Sequence, residues 1–418
     1  MTLVSQQTRV DPKTPQHHEL YSAICKLHNP NLKILTLLNL LFANLLFASI
    51  TQAQAQDAAC KPLRWNISAS ALNLDLSPWT VDTLLSTPLA TLFGNVSELN
   101  FNAGVNVDSE IYGVYCEPLH KVDLATKSTL QILVHGSSYT SDYWRGSGSG
   151  DSGTAHSLDY DWVHYANSRG YPTIAIDRLG NGQSSHPDPK VVQYPLEVEI
   201  LHQLSRNIRT AFPHVKNLVY VGNAYGSILG SALAEKYPTD FEAIVLTGYS
   251  SSYNTEAFGN NPIASYVSPG ANLDEGYTQF LNISIFEQLL YAPFYTNNAP
   301  YSPAVLKDDF IHRGTISIGE IATAYFGIRE AAAYKGHILV ATGQNDIVFC
   351  GNGPLGSSAD CGNASVGLVA ETRSQFPGAK SFEAVVVPHA GSAWNHHFGA
   401  LAGFRYVHDW MDGKFLRR

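Results

Sequence analysis

Residues 217–236 read NLVYVGNAYGSILGSALAEK. Leu218–Val221 is a short apolar run of the kind that fills a buried strand. Gly222-Asn223-Ala224-Tyr225-Gly226 is a tight turn, and small and apolar residues at helical spacing follow it. A strand, a glycine-flanked turn and a helix in this order lift the middle residue of the turn out at the end of the strand. In a G-x-S-x-G turn that residue is a serine nucleophile. Here it is Ala224, which has neither oxygen nor sulfur to attack with.

The same alternation extends outward. Leu130–Val134 and Thr173–Ile176 read as short buried strands, Leu196–Phe212 carries a helical stripe at Leu196, Ile200, Leu204 and Ile208, and Phe241–Leu246, His337–Ala341 and Phe382–Val387 read as further strands. Phe398–Trp410 reads as a closing helix. Strands without a polar face, separated by helices, predict an α/β fold: a mostly parallel, doubly wound sheet covered on both sides. The expected division is an N-terminal extension and signal peptide (1–55), N-terminal strands and an extension (56–128), a core in two parts (129–248 and 332–418), and a cap inserted between them (249–331). The inserted stretch is rich in Tyr, Phe, Asn and Pro. Residues 146–153, GSGSGDSG, read as a polar loop.

The chain has 418 residues, a formal net charge of −9 and no basic run, which argues against nucleic acid as a partner. Residues 34–50, ILTLLNLLFANLLFASI, precede an Ala53-Gln54-Ala55 triplet and read as the apolar core of a signal peptide with its cleavage site. A membrane would be a partner only if that segment stayed as an uncleaved anchor. Secretion, or residence in the secretory lumen, is the expectation. Cys25 lies before the cleavage site, which leaves Cys60, Cys116, Cys350 and Cys361, an even set expected to pair as Cys60–Cys116 and Cys350–Cys361. N-x-S sequons at Asn66, Asn95, Asn282 and Asn363 predict glycosylation.

ILVHGSSYTSDYW (132–144), IAIDRLGNGQSS (174–185), VGNAYGS (221–227), VATGQNDIVFC (340–350) and VVVPHAGSAWNHH (385–397), in this order, resemble the α/β-hydrolase superfamily, and most closely secreted fungal α/β-hydrolases. The resemblance covers roughly residues 105–415. It implies an oxyanion hole made by backbone amides at Ser137 and at Tyr225, the residue after the nucleophile position. It implies a catalytic acid at Asp346, and a packing role for the Asp177–Gly182 turn. The histidine belongs after the last strand in a Pro-x-x-Gly-His pattern. The chain reads Pro388-His389-Ala390-Gly391-Ser392, so the histidine position holds Ser392, whose hydroxyl is too weak a base near neutral pH. His389 is the best shifted candidate, with His396 and His397 nearby. Ser227, one turn beyond the elbow, is a poor substitute nucleophile. Ala224, Asn223 and Ser392 depart from the pattern together, which points to natural divergence rather than one engineered change.

No metal-ligand spacing occurs and no cofactor is implied. The expected partner is a small apolar molecule. Loss of a triad member costs about a millionfold in turnover. The favoured reading is therefore an enzyme that acts without an acyl intermediate, by condensation, dehydration or cyclisation, on an apolar carbonyl or ester-bearing metabolite, such as one of fungal specialised metabolism. A hydrolase using a shifted histidine and a non-catalytic ligand binder are the alternatives.

Overall fold

The computed structural model describes residues 60–416 except 89–90, 92–99, 119–127, 147–156, 271–273, 275, 292–300, 356 and 358. The apolar segment 34–50, Cys25, Asn95 and most of the Gly/Ser loop after Gly146 lie outside the described residues. The strands, in chain order, begin with β1 (Cys60–Asn73), β2 (Ala103–Cys116), β3 (Thr129–Val134), β4 (Thr173–Ile176), β5 (Asn217–Asn223) and β6 (Ala243–Thr247). β7 (Val267–Pro269), β8 (Tyr277–Phe280) and β9 (Ile316–Ser317) follow, then β10 (His337–Gly343) and β11 (Ser381–Val387).

Eight of these form one sheet in the order β1-β2-β4-β3-β5-β6-β10-β11. From β4 to β11 every neighbouring pair is parallel, while β1 and β2 add to one edge antiparallel. β3, β4 and β6 are buried at every position, so they are mostly apolar without alternation, and the buried Gln131 of β3 is hydrogen-bonded to Trp162 and His408. β1 is different: Ile67 and Ala69 face inward while Asn66, Ser68 and Ser70 face solvent. That period of two marks a strand with one wet face. Cys60 stands opposite Cys116 in the β1–β2 register, where the two form a disulfide, and Cys350 pairs with Cys361.

The helices that matter for the site are α1 (Trp162–Ser168), α2 (Tyr194–Ala211), α3 (Tyr225–Lys236), α4 (Pro303–Ile311), α5 (Ile318–Thr323), α6 (Ile347–Cys350) and α7 (Ala400–Phe415). In α2 the stripe Leu196, Ile200, Leu204, Ile208 is buried as its spacing requires, and Pro195 sits in the first turn, where its missing N–H costs nothing. α7 starts two residues later and runs five further than expected, with Phe398 left exposed. The β6 strand begins at Ala243 rather than Phe241. Between β6 and β10 the alternation stops, and a small antiparallel sheet, β7-β8-β9, with α4 and α5, takes its place. Among the described residues no helix is long and apolar enough to cross a membrane.

The sequence's two elbow glycines are sites of close approach. A Cβ on Gly222 would lie 2.5 Å from the carbonyl oxygen of Gly226, and one on Gly226 would lie 2.2 Å from the carbonyl oxygen of Val134. α3 can leave β5 this sharply only because no side chain stands between helix and sheet. Gly226→Ala is therefore expected to cost at least about 3 kcal/mol. Gly104→Ala, at a position in β2 where a Cβ meets nothing within 4 Å, should stay within about 0.5 kcal/mol of the parent. Urea unfolding midpoints check the pair; a near-neutral Gly226→Ala would contradict the packing described.

Candidate active site

Ala224 is the hinge between β5 and α3. Its backbone sits at φ 46°, ψ −109°, a region that L-residues with a Cβ rarely enter. The conformation is held from both sides: the Ala224 amide donates to the Thr247 carbonyl, and its own carbonyl accepts from Ser227 and Ile228. The loop after β3 lies against it, since a Cβ on Gly136 would come within 3.1 Å of the Ala224 Cβ. Ser227 does not face the elbow's open side. Its hydroxyl is buried and donates to the Thr247 carbonyl.

Three loops converge over this turn. The loop after β10 is laced to the loop after β11: the Asn345 amide donates to the Ala390 carbonyl, and Gly343 is so close to Gly391 that a Cβ would stand 2.1 Å from its carbonyl oxygen. The Ser392 carbonyl accepts from the Asn223 side chain at 3.2 Å, which ties the end of β11 to the elbow. Asp346 caps α6, its Oδ1 accepting from the Val348 and Phe349 amides at 2.9 and 3.1 Å. Asp346 is completely buried. Burial pushes its carboxyl up to about 7, against the opposing pull of the Phe349 amide, the Ser392 hydroxyl and the Val348 amide. Ser392 thus stands beside the acid, where the sequence pattern puts a histidine. The Ser392–Asp346 contact still falls short of hydrogen-bond geometry: neither Ser392 Oγ nor Asp346 Oδ2 has a hydrogen-bond partner among the described residues.

A pocket opens at this convergence, lined by Ser137, Ala224, Tyr225 and Ser392 together with residues of the inserted segment. It lies at the carboxyl ends of β3 and β5, where the chain order of the sheet reverses, the usual place for a ligand in an open α/β sheet. The structure therefore brings together the nucleophile position, both expected oxyanion residues and the histidine position. It does not bring His389. That residue is exposed, sits at φ 53° on the turn just after β11, and is not among the residues lining the pocket. From this loop it is Ser392, not His389, that lines the pocket among the described residues.

The other two histidines are structural. His396 is buried, with Nδ1 at 3.1 Å from Asp309 Oδ2 and Nε2 donating to the Tyr143 carbonyl at 3.2 Å. The Tyr139 and Tyr291 hydroxyls donate to the same Asp309 oxygen at 2.9 and 2.7 Å, so this cluster fastens α4 to the core. Burial, with His396 beside it, lowers His397 to about 3 and keeps it neutral. Among the described residues lining the pocket there is no histidine, and no group of three or more His, Cys, Asp or Glu side chains able to hold a metal occurs among the described residues.

One functional group escaped the sequence reading. Arg178, in the Asp177–Gly182 turn, is 2% exposed and forms ion pairs with Glu197 of α2 at 2.7 Å and Glu320 of α5 at 3.1 Å. It also donates to the carbonyls of His135 and Gly136, and lies over the Tyr225 ring at 4.6 Å. The Tyr225 hydroxyl donates to Glu197 at 2.8 Å, and the Ser137 hydroxyl donates to Glu320. Burial raises Glu197 despite the neighbouring guanidinium, because one arginine serves two glutamates. His135 is held well below its ordinary range by burial and by Arg178, and its Nε2 accepts from the Arg178 amide at 3.0 Å. Nothing in the linear sequence links residues 178 and 320.

A family model described as alpha/beta hydrolase fold matches residues 132–270. The chain is an α/β-hydrolase-fold protein. Solved structures similar to it include a putative hydrolase from Rickettsia typhi (12% identity, 84% of this chain and 99% of that one, TM-score 0.47). A thermophilic esterase from Thermogutta terrifontis matches at 14% identity over 73% and 95% (TM-score 0.46). A peroxisomal alpha-beta-hydrolase from Saccharomyces cerevisiae matches at 10% identity over 86% and 91% (TM-score 0.45). No curated protein matches the chain in sequence. As an α/β-hydrolase fold the molecule has its sheet, elbow and loop order in the expected places, with alanine on the elbow.

The buried acid gives a pH signature. In the unfolded chain an aspartate titrates near 3.9, whereas folded Asp346 titrates at about 7. Between those values the folded state binds the extra proton, so Asp346 makes stability fall as pH rises from 4 to 7 and adds no further change above. Asparagine keeps the helix cap and does not titrate. The stability of Asp346→Asn relative to the parent should therefore improve from pH 4 to pH 8, by at most about 4 kcal/mol for three units. Urea titrations across that range check it, and a difference that does not change with pH would contradict the buried acid.

Proposed function

We propose that this protein binds a small apolar carbonyl compound under the inserted cap and acts on it without forming an acyl-enzyme. The observation that carries the reading is the pocket itself. Ser137, Ala224, Tyr225 and Ser392 meet there, with alanine on the elbow and no histidine among the described residues of the lining. Amides at Ser137 and Tyr225 are the donors for a carbonyl oxygen, and backbone donors survive loss of the serine because they need no particular side chain. Proton transfer, condensation, dehydration or cyclisation needs a polarised carbonyl and a positioned partner, and neither requires a covalent intermediate.

A second reading, that of a binder without catalysis, draws support from the walls, which are mostly aliphatic and aromatic: Ile228, Phe258, Ile263, Val267 and Leu289. Hydrolysis by a shifted histidine is the remaining alternative; among the described residues His389 does not line the pocket, and His396 is engaged with Asp309. Secretion and glycosylation remain part of the proposal. The two disulfides suit an oxidising compartment, and Asn66, Asn282 and Asn363 are exposed.

Restoring the missing atoms tests the reading. Ala224→Ser alone should hydrolyse p-nitrophenyl butyrate no faster than the parent, because Ser392 cannot take the proton. The double variant Ala224→Ser, Ser392→His should gain about a hundredfold or more. A strongly active Ala224→Ser single variant would show that another base already serves the site, and would overturn the proposal.

A further inference from the structure

Ser392 and Glu320 are among the polar residues in the mostly apolar walls of the pocket. Ser392 Oγ lines it, is wholly buried and has no hydrogen-bond partner among the described residues. Opposite in kind is Glu320, whose carboxyl reaches the pocket from the inserted segment. Glu320 is 1% exposed, its Oε2 faces Arg178 and its Oε1 accepts from the Ser137 hydroxyl, and both Glu320 and Ser137 are lining residues. The Ser317 hydroxyl caps α5 by accepting from the Glu320 amide, which fixes the helix that carries the carboxyl.

The charge count around Glu320 is uneven: Arg178 is one cation against Glu197 and Glu320. The Ser137 hydroxyl spends its only proton on Glu320, so its lone pairs remain for a donor. A group entering this corner therefore meets acceptors and an excess of negative charge in a site with little water. A donor is welcome there, and an anion is not.

We propose that Ser137 and Glu320 form the recognition end of the pocket, and that its ligand is a neutral apolar molecule bearing a hydroxyl group, with carboxylates excluded. The assignment rests on the pocket reading above and narrows its substrate class. The ligand's hydroxyl donates to Ser137 Oγ or the Glu320 carboxyl, its chain lies along Ile228, Ile263 and Leu289, and a carbonyl elsewhere on it reaches the elbow amides. On this assignment a free fatty acid is a poor occupant.

Titration calorimetry of the full chain at pH 8 with 1-octanol, octanoate and methyl octanoate tests the assignment. The parent should bind 1-octanol at least tenfold more tightly than octanoate. Glu320→Gln keeps the shape but removes the charge and one of the two acceptor oxygens, and should narrow that ratio to threefold or less by improving octanoate. Ser137→Ala leaves the Arg178–Glu320 pair intact and should weaken 1-octanol at least fivefold with methyl octanoate unchanged. It carries the test if Glu320→Gln fails to fold. Octanoate binding the parent as well as 1-octanol, or folded Glu320→Gln with an unchanged ratio, would overturn the assignment. So would Ser137→Ala weakening alcohol and ester alike. Methyl octanoate separates the two readings: if it fails to bind while the alcohol binds with its preference, the carbonyl reading falls and the Ser137–Glu320 assignment stands. Failure of all three ligands overturns both.

Discussion

Arg178 carries its charge at 2% exposure, and that charge must be answered from inside the molecule. A buried guanidinium without partners is prohibitively costly, so the fold depends on Glu197 and Glu320 reaching it from α2 and α5. The same side chain donates to the carbonyls of His135 and Gly136, which fixes the loop after β3, and covers the ring of Tyr225, which fixes the first turn after the elbow. Both loops that border the elbow are thus positioned by one residue behind them. Replacing such a network with apolar side chains is often neutral, but removing one partner typically costs about 3–5 kcal/mol. Its value here is positional: it couples the inserted segment to the loop after β3.

The elbow gains meaning in that setting. A residue at φ 46° stores strain of about 1–3 kcal/mol unless its surroundings enforce it, and here they do, through the close approaches at Gly222 and Gly226. In a serine enzyme that strain presents the nucleophile. In this chain it presents a methyl group, and Tyr225 and Ser137 still line one pocket with it. Ser392 beside Asp346 repeats the pattern: the loops that would orient a histidine are laced together, and a hydroxyl occupies the place.

Much of this was legible in the sequence, because fully buried parallel strands announce themselves as apolar runs and the elbow needs its glycines. The positions of Ala224, Ser392, Asp346, Ser137 and Tyr225 follow from the order of motifs that the α/β-hydrolase resemblance implies, each motif standing after a strand. What was not legible depends on contacts between distant segments. Glu320 looks like any first-turn helical glutamate until α5 packs beside Arg178. Asp309 and His396 are 87 residues apart and meet only through tertiary packing. His389 misled for a simpler reason: proximity in sequence to the histidine position says nothing about which way a turn faces, and its turn leaves it exposed. The edge strands β1 and β2 were under-read because their alternation of small and polar residues, as in Asn66–Ala71, is weakly hydrophobic on its inward side.

The central claim is that the fold retains the electrostatic shell of a serine hydrolase around a site with no activated nucleophile. Incubation of the intact protein with a fluorophosphonate, followed by mass spectrometry of the whole chain and of its peptides, addresses it directly, because such reagents capture serines made reactive by a neighbouring base. The account predicts an unmodified chain. A stoichiometric adduct on Ser137, Ser227, Ser392 or any other pocket serine would contradict it.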